Sequence, residues 1–563
     1  MGFLAAVLLA AVVSELTPND AGVMGADDAA SIQNAVNEAA ARGVGKVVIP
    51  SFNARTGKPG WTVARSILLP GNMTVVIDNA HLTLADDVYA NFFRSANTWT
   101  DLGRTAAGEL RDIRIIGLGN AVLDGGKAND LSELTHNTEG RPHVRANTPI
   151  LMVNCRNIEV SNLTIQAHRY WGICFEFCRY GKVSDIRFVA GYDRRNQDGI
   201  NLRNGCREFV IENISGQTGD DMIALSAIDV PRTDMYSYIV EGMSHDICNV
   251  KIRNVRGAAV CHPLIALRNH NGARIYDITI ENVSDTPFAD PCGGTELPRY
   301  AMIRIGNGIY WTTRKSTLGE IAGITMRELD CRYSVACVVV NNTLKDSTIS
   351  GVRCYGPCAA AVSTRGPDWG GPGATLDNVL IDNVRVASDV ADAKVADVSF
   401  LNAGDVVRDV VLRDCSVESA DGGRKTIVRE VLDRTGPKPV RLVMAKGVRV
   451  NQDTLEVDVE KGETANLESE PFRVMSKDPF VTWQIRKPGG SDAIVEFAFA
   501  PDVGGKPGAW TDFGAVKREE TQNLAAGSWV KYRMTLKAKD GVSPRVILVY
   551  VGELMQARWS LPQ

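Results

Sequence analysis

One six-residue pattern limits what this chain can fold into more than any other feature. It reads apolar, any, apolar, any, Asn/Asp/Gly, apolar, and it recurs along most of the chain. Copies are Ile113-Arg-Ile-Ile-Gly-Leu118, Ile158-Glu-Val-Ser-Asn-Leu163, Phe209-Val-Ile-Glu-Asn-Ile214 and Val250-Lys-Ile-Arg-Asn-Val255. Others are Ile278-Thr-Ile-Glu-Asn-Val283, Ser347-Thr-Ile-Ser-Gly-Val352 and Val379-Leu-Ile-Asp-Asn-Val384, with a degenerate copy at Val183-Ser-Asp-Ile186. Their central apolar residues fall at 115, 160, 183, 211, 252, 280, 349 and 381. The short gaps are 23, 28, 28 and 32 residues; those of 45, 41 and 69 read as multiples or as rungs carrying insertions. Each copy alternates with period two and then bends at a residue suited to the left-handed backbone region, which is a short strand and a corner. Such a unit cannot bury its own apolar face; a stack can. The fold class is therefore all-β: a parallel β-helix solenoid with one coil per repeat.

The 563 residues leave room for that solenoid and one further module. Asp27 to Arg42 places Ile32, Ala35, Val36 and Ala39 on one helical face behind an acidic first turn, a capping helix over the open end of the stack. Gly43 to Pro50 reads as the first strand. The solenoid is expected over 15–446. From 447 to 563 the repeat gives way to alternating strands and Gly/Pro turns, a β-sandwich-like module. Its Trp483, Trp510, Trp529 and Trp559 read as packing residues. Cys155, Cys178, Cys206 and Cys248 precede repeats at equivalent places and read as an internal stack of small apolar side chains.

Charge and composition exclude several functions. Sixty-two Lys+Arg against 66 Asp+Glu provide no positive field for nucleic acid. No apolar run is long enough for a membrane span. Twelve dispersed Cys without CxxC pairs, and seven His, give no structural zinc pattern, and no metal or other cofactor is expected. Residues 1–14 (MGFLAAVLLAAVVS) resemble a secretory apolar region and cleavage site, although no Lys or Arg precedes Arg42; a secreted or periplasmic location is expected.

Chemistry concentrates between Asn196 and Leu225. Asp198 is followed 22 residues later by Asp220-Asp221, close to one coil, so the three carboxylates should stack on one open face. Crowded carboxylates cannot all ionise freely, and a split in their proton affinities suits acid/base hydrolysis. Neighbours on a regular strand point to opposite faces, so both Asp220 and Asp221 reach one site only through irregular backbone. Turn-forming or cation-binding roles for the acids, calcium above all, are the competing readings.

The segment Asn196-Gln-Asp-Gly199, then Gly219-Asp-Asp221 before an apolar strand, resembles the signature of the polygalacturonase-like glycoside hydrolases of family 28, which share the pectin-lyase-like right-handed β-helix. Cys155-Arg-Asn-Ile158, Tyr170-Trp171 and Cys178 match the upstream rhythm. Cys261-His262-Pro263 stands where that family has Gly-His-Gly, and Arg304-Ile305-Gly306 where it has Arg-Ile-Lys. The resemblance covers about residues 20 to 430. It implies an inverting glycosidase in which Asp220 is the general acid, Asp198 and Asp221 activate the water, His262 tunes Asp220 and Arg304 binds the sugar. The missing lysine at Gly306 points to Arg268, or to Arg194 and Arg195 beside Asn196, as substitutes that would bind a carboxylate or sulfate of a pectic or other acidic polysaccharide. Two stretches, Ser226 to Asp246 and Ser284 to Arg299, look inserted and would wall a groove, favouring cleavage from chain ends. A polysaccharide lyase on the same scaffold, or a non-catalytic carbohydrate-binding β-helix, are the alternatives.

Overall fold

Strands that alternate and then bend can stack only if each apolar side chain meets its counterpart one coil away, and the computed structural model of the chain has that register. It describes residues 15–136, 138–191, 194, 196–228, 238–260, 262–288, 299–306, 316–364, 374–398, 406–434, 440–450, 457–460, 462–474, 480–516, 520–521, 525, 527–551, 554–556 and 559–560. The export-like segment lies outside them. Contacts divide the chain into two units, one of Met1–Ser226, Pro231–Leu264 and Thr286–Leu297, the other of Ala227–Val230, Ile265–Asp285 and Pro298–Gln563.

In the first unit, helix α1 (Asp28–Ala41) is capped by Asp27, whose Oδ1 accepts the Ala30 N–H at 2.7 Å, and buries Ala29, Ile32, Ala35, Val36 and Ala39. Long strands Lys46–Pro50, Met73–Asp78, Leu110–Leu118, Cys155–Gln166, Arg179–Val189, Arg207–Thr218 and Ile247–Ala259 pair in parallel in that order. The repeat's central residues form one buried column, Val47, Val75, Ile115, Val160, Val183, Ile211 and Ile252. Gaps of 45 and 41 residues are thus single rungs with insertions. The corner residues take left-handed backbone, with φ of 55° at Asn162, 58° at Asp185, 57° at Asn213 and 57° at Asn254. Short polar side chains tolerate that region best, and here they also ladder: Asn213 Nδ2 donates to Asp185 Oδ1 and Asn254 Nδ2 to Asn213 Oδ1, both at 2.9 Å.

A second parallel sheet closes each coil: β1 (Ile150–Val153), β2 (Ile173–Glu176), β3 (Ile200–Arg203) and β4 (Ile223–Ile228), with Ile150, Ile173, Ile200 and Ile223 in register. Cys155, Cys178, Cys206 and Cys248 are buried at the corner that follows. Thiols of the first three donate to carbonyls of Val153 (3.2 Å), Met152 (3.4 Å) and Phe175 (3.3 Å), and burial pushes the Cys178 and Cys206 thiols up.

The second unit repeats the pattern. Ile275–Asp285, Ile321–Cys331, Thr343–Gly356, Thr375–Ser388 and Val406–Glu418 are parallel, with Ile280, Met326, Ile349, Ile381 and Leu412 in one column. The 69-residue gap is two rungs. Arg424–Arg434 pairs antiparallel with the last and ends the stack. Two mostly antiparallel sheets follow, beginning with Val440–Lys446 against Thr464–Ser469, and share a core that includes Leu442, Val457, Leu467, Phe497, Tyr532 and Val549. Trp483 packs on that core, Trp529 donates to Asp502 at 2.8 Å, and Lys531 sits 5.1 Å from the Trp510 ring centre. The Trp559 side chain lies outside the described residues. Among the described residues no helix is long and apolar enough to cross a membrane.

Candidate active site

The irregular backbone that the aspartate pair requires is present. Gly219 N–H and Asp220 N–H both donate to one carbonyl, Gln197 O, at 3.1 and 3.3 Å. Two residues facing one is a bulge-like bend, placed just before the strands pair. Gly219 is needed there: a Cβ would lie 2.9 Å from Gln197 Oε1 and 3.2 Å from Gly191 O. Because of the extra residue, Asp198 stands opposite Asp221 and not below Asp220, as shown by the Gly199 N–H donating to Asp221 O at 2.9 Å.

The bulge lets adjacent side chains converge. Oxygens of Asp220 and Asp221 and a ring nitrogen of His262 all lie within 4.8 Å of one another. His262 Nδ1 is 3.1 Å from Asp220 Oδ1, and that oxygen also accepts the Asp221 N–H at 2.8 Å. Thr218 Oγ1 donates to Asp220 O at 2.6 Å and fixes the bend. Access is graded. The His262 side chain is 36% exposed and that of Asp220 13%, whereas Asp198 (3%) and Asp221 (0%) are buried beneath them. In place of an open face with three carboxylates, a partly exposed Asp220–His262 pair stands beside two buried acids. Asp198 Oδ2 accepts from Asn201 Nδ2 at 3.1 Å.

A buried layer holds this arrangement, and sequence reasoning missed it. His168 Nε2 is 2.9 Å from Asp198 O, so that nitrogen carries the proton, since a carbonyl only accepts. Gln197 Nε2 donates to His168 O at 2.7 Å, while Gln197 O takes the two bulge amides. Three successive rungs are thereby joined. The only signal was position: His168 precedes β2 as the NQDG segment precedes β3.

Burial lowers the His168 pKa to about 4; hydrogen bonds to the Asp198 and Gln197 backbone oppose the shift and the Arg194 charge adds to it. The unfolded chain binds the extra proton first, so stability is complete above the ordinary histidine value and falls as pH drops toward 4. The window is worth about 3 kcal/mol. Urea midpoints measured from pH 7 down to pH 4 should fall accordingly, and His168→Asn should flatten that part of the curve.

The remaining expected residues divide. Asn196 occupies a turn with φ of 58°. Arg194 is turned to backbone: Nη1 reaches Ala167 O and Nη2 reaches Gly126 O at 2.8 Å. A guanidinium so engaged fastens the loop. Arg195 and Cys261 lie outside the described residues. Arg268 and Arg304 belong to the second unit, half-buried on Ile265–His270 and Arg299–Ile305, with Ala266 opposite Arg304. Gly306 N–H donates to Leu267 O at 2.7 Å, which sets Gly306 opposite Arg268. Gly306 has φ of 76°, and its Cβ would meet Asn342 Cβ at 2.4 Å, so the lysine of the resemblance has no room there.

A roof covers the outer face of the short strands in the first unit. Leu131, Val144, Tyr238 and Val240 form one cluster with Leu151, Val153, Tyr170, Trp171 and Cys174. The expected insertion at 226–246 contributes its described part; the other part comes from 125–147, which sequence reasoning did not single out. Trp171 is one coil from Asp198 in the same column, as the Gly172 N–H donating to Asp198 O (2.9 Å) shows; it is stacked on Tyr170 at 4.6 Å. Under the roof lies a buried charge cluster: Glu176 meets Arg145 at 2.6 Å and Arg203 at 3.2 Å, and accepts the Tyr238 N–H at 3.0 Å.

No protein-family model matches the chain. Polygalacturonase QRT2 of Arabidopsis thaliana is 29% identical over 84 residues, 15% of this chain and 19% of that protein, so the match spans about a fifth of the curated relative's length. Among solved structures, a polygalacturonase from Erwinia carotovora ssp. carotovora is 15% identical, with 66% of this chain and 92% of that chain covered at a TM-score of 0.41. An exopolygalacturonase from Thermotoga maritima is 15% identical, with 74% and 94% covered at 0.40. The fold itself, a parallel β-helix, is shown by the chain's own strand pairing and is the one that its repeat anticipates.

Proposed function

We propose that the protein is an exported inverting glycoside hydrolase that acts on a pectic or other acidic or substituted polysaccharide or oligosaccharide. The observation that carries this reading is the bulge that gathers Asp220, Asp221 and His262. Asp220, reachable from solvent, gives its proton to the glycosidic oxygen. Asp198 and Asp221 take a proton from water as it attacks the anomeric carbon from the opposite face. His262, 3.1 Å from Asp220, orients that carboxyl.

The lyase reading with calcium fits less well. Calcium is bound by a shell of oxygens, and an imidazole beside two carboxylates is a poor set for it. Activity should survive exhaustive chelation, and products should lack the ultraviolet absorbance of an unsaturated uronate. Loss of activity with chelator, or an absorbing product, would favour the lyase.

The roof over Tyr170 and Trp171 supports attack from a chain end, since a polymer cannot run past Asp198 over a face that is already covered. Early digests of polygalacturonate or a related acidic glycan should contain only monosaccharide or disaccharide; a ladder of intermediate oligomers would contradict chain-end action.

A further inference from the structure

Charges on the long sheets are arranged mostly in opposite-sign columns. Arg114, Glu159 and Lys182 alternate across three rungs, Glu281 faces Arg327, and Asp382 faces Arg413. Like charges directly opposite each other on neighbouring strands are destabilising, which accounts for the pattern. One column breaks it. Arg111, Arg156, Arg179 and Arg207 stand in register on four successive rungs of the first unit, each at the start of its long strand. No other column among the described residues stacks more than two like charges.

The column is not neutralised by its surroundings. Glu109 serves both Arg111 (3.1 Å) and Arg179 (Nε, 2.7 Å), reaching past Arg156. Arg156 lies 5.0 Å from the centre of the Tyr180 ring. Neighbouring acids are held elsewhere: Asn157 donates to Asp112, and Asn249 donates to Glu208 at 2.9 Å. Arg207 is exposed, and it lines a cavity of about 200 Å³ with Arg179, Glu109, Asn154, Gly205 and Ser244.

We propose that this column is an accessory binding stripe for an anionic oligosaccharide, with the cavity at Arg179 and Arg207 taking one carboxylate or sulfate group. Adjacent strands set the arginine backbones about 4.8 Å apart along the coil axis. That row matches a linear chain bearing an acidic group on each sugar. Planar guanidinium forks bind such groups bidentately, and an anion laid along them relieves the repulsion that the free protein carries. The stripe is distinct from the catalytic cluster: Asp198 precedes β3 and Arg207 follows it. The proposal shares the acidic-substrate reading above, but its readout is binding rather than hydrolysis.

The test measures dissociation constants of the Asp220→Asn chain, in which turnover is expected to be slow, for an oligogalacturonate long enough to span four rungs. A neutral oligosaccharide of equal length and inorganic sulfate serve as comparisons. Adding Arg156→Ala and Arg207→Ala, neither of which touches Glu109, should weaken oligogalacturonate binding at least ~tenfold for each arginine removed, and wild-type binding should fall as salt is raised. The corresponding Arg→Gln pair guards against a folding defect and should behave the same way. Undiminished affinity in both pairs, equal binding of the neutral chain, or sulfate binding with no gain from chain length would overturn the stripe. With Asp220 intact, hydrolysis of a substrate too short to reach the column should be unchanged in the arginine variants, so failure here and failure of the catalytic reading are distinguishable.

Discussion

Asp220→Asn is expected to lower kcat by about 10²- to 10⁴-fold, the range a positioned general acid supplies, with little change in KM. The substitution is conservative in structure. Asn Oδ1 can still accept the Asp221 N–H that Asp220 Oδ1 accepts at 2.8 Å, so the bulge should persist and the melting curve should coincide with that of the parent. What is lost is the proton. His262→Ala should be milder in rate, because the imidazole lies 3.1 Å from the acid and orients it rather than supplying the proton. Parental kcat/KM in His262→Ala would remove the residue from the mechanism. An Asp220→Asn chain with near-parental turnover on the best substrate found would remove the acid itself.

The largest effect on stability is expected from Glu176→Ala. Glu176 is fully buried, and its carboxylate joins Arg145 (3% exposed side chain), Arg203 (4%) and the Tyr238 amide. It therefore ties β2, β3 and the roof together. Removing it takes the shared carboxylate from two guanidinium groups enclosed in a dry layer, and breaking a buried pair in this way costs roughly 3–5 kcal/mol. Chemical denaturation should show that loss. A second change, Arg203→Met, should recover part of it, because the uncompensated charge is then smaller and the thioether packs beside Trp171, whose ring Arg203 overlies at 4.8 Å. If Glu176→Ala melts with the parent, the cluster is not what fastens the roof.

Much of the solenoid was legible because its repeat is enforced in three dimensions. Positions 115, 160, 183, 211 and 252 stack because a one-residue slip would turn every apolar side chain outward. The rung at Met326 escaped notice because its corner residue is Glu328, at φ 57°, where the other copies carry Asn, Asp or Gly. The rungs at Val47 and Val75 lay before the first copy. The candidate site was legible to within one residue. The NQDG and GDD segments marked the acids, but counting 22 residues placed Asp198 under Asp220, since a bulge adds a residue that sequence spacing does not reveal. The contacts of His168, Gln197 and Glu176 were not legible. Their roles depend on which distant backbone group each meets, and nothing local encodes that. The backbone contacts of Arg194 were hidden for the same reason: from sequence it is a cation beside NQDG, while in the fold the carbonyls of Ala167 and Gly126 engage it.

Stereochemistry at the cleaved bond tests the central reading most directly. Proton NMR can follow the first minutes of hydrolysis of an α-linked acidic oligosaccharide. The proposed inversion, with no nucleophile bonded to sugar, predicts that the new reducing end appears first as the β-anomer and equilibrates afterwards. Initial release of the α-anomer, or of an unsaturated sugar, would contradict it.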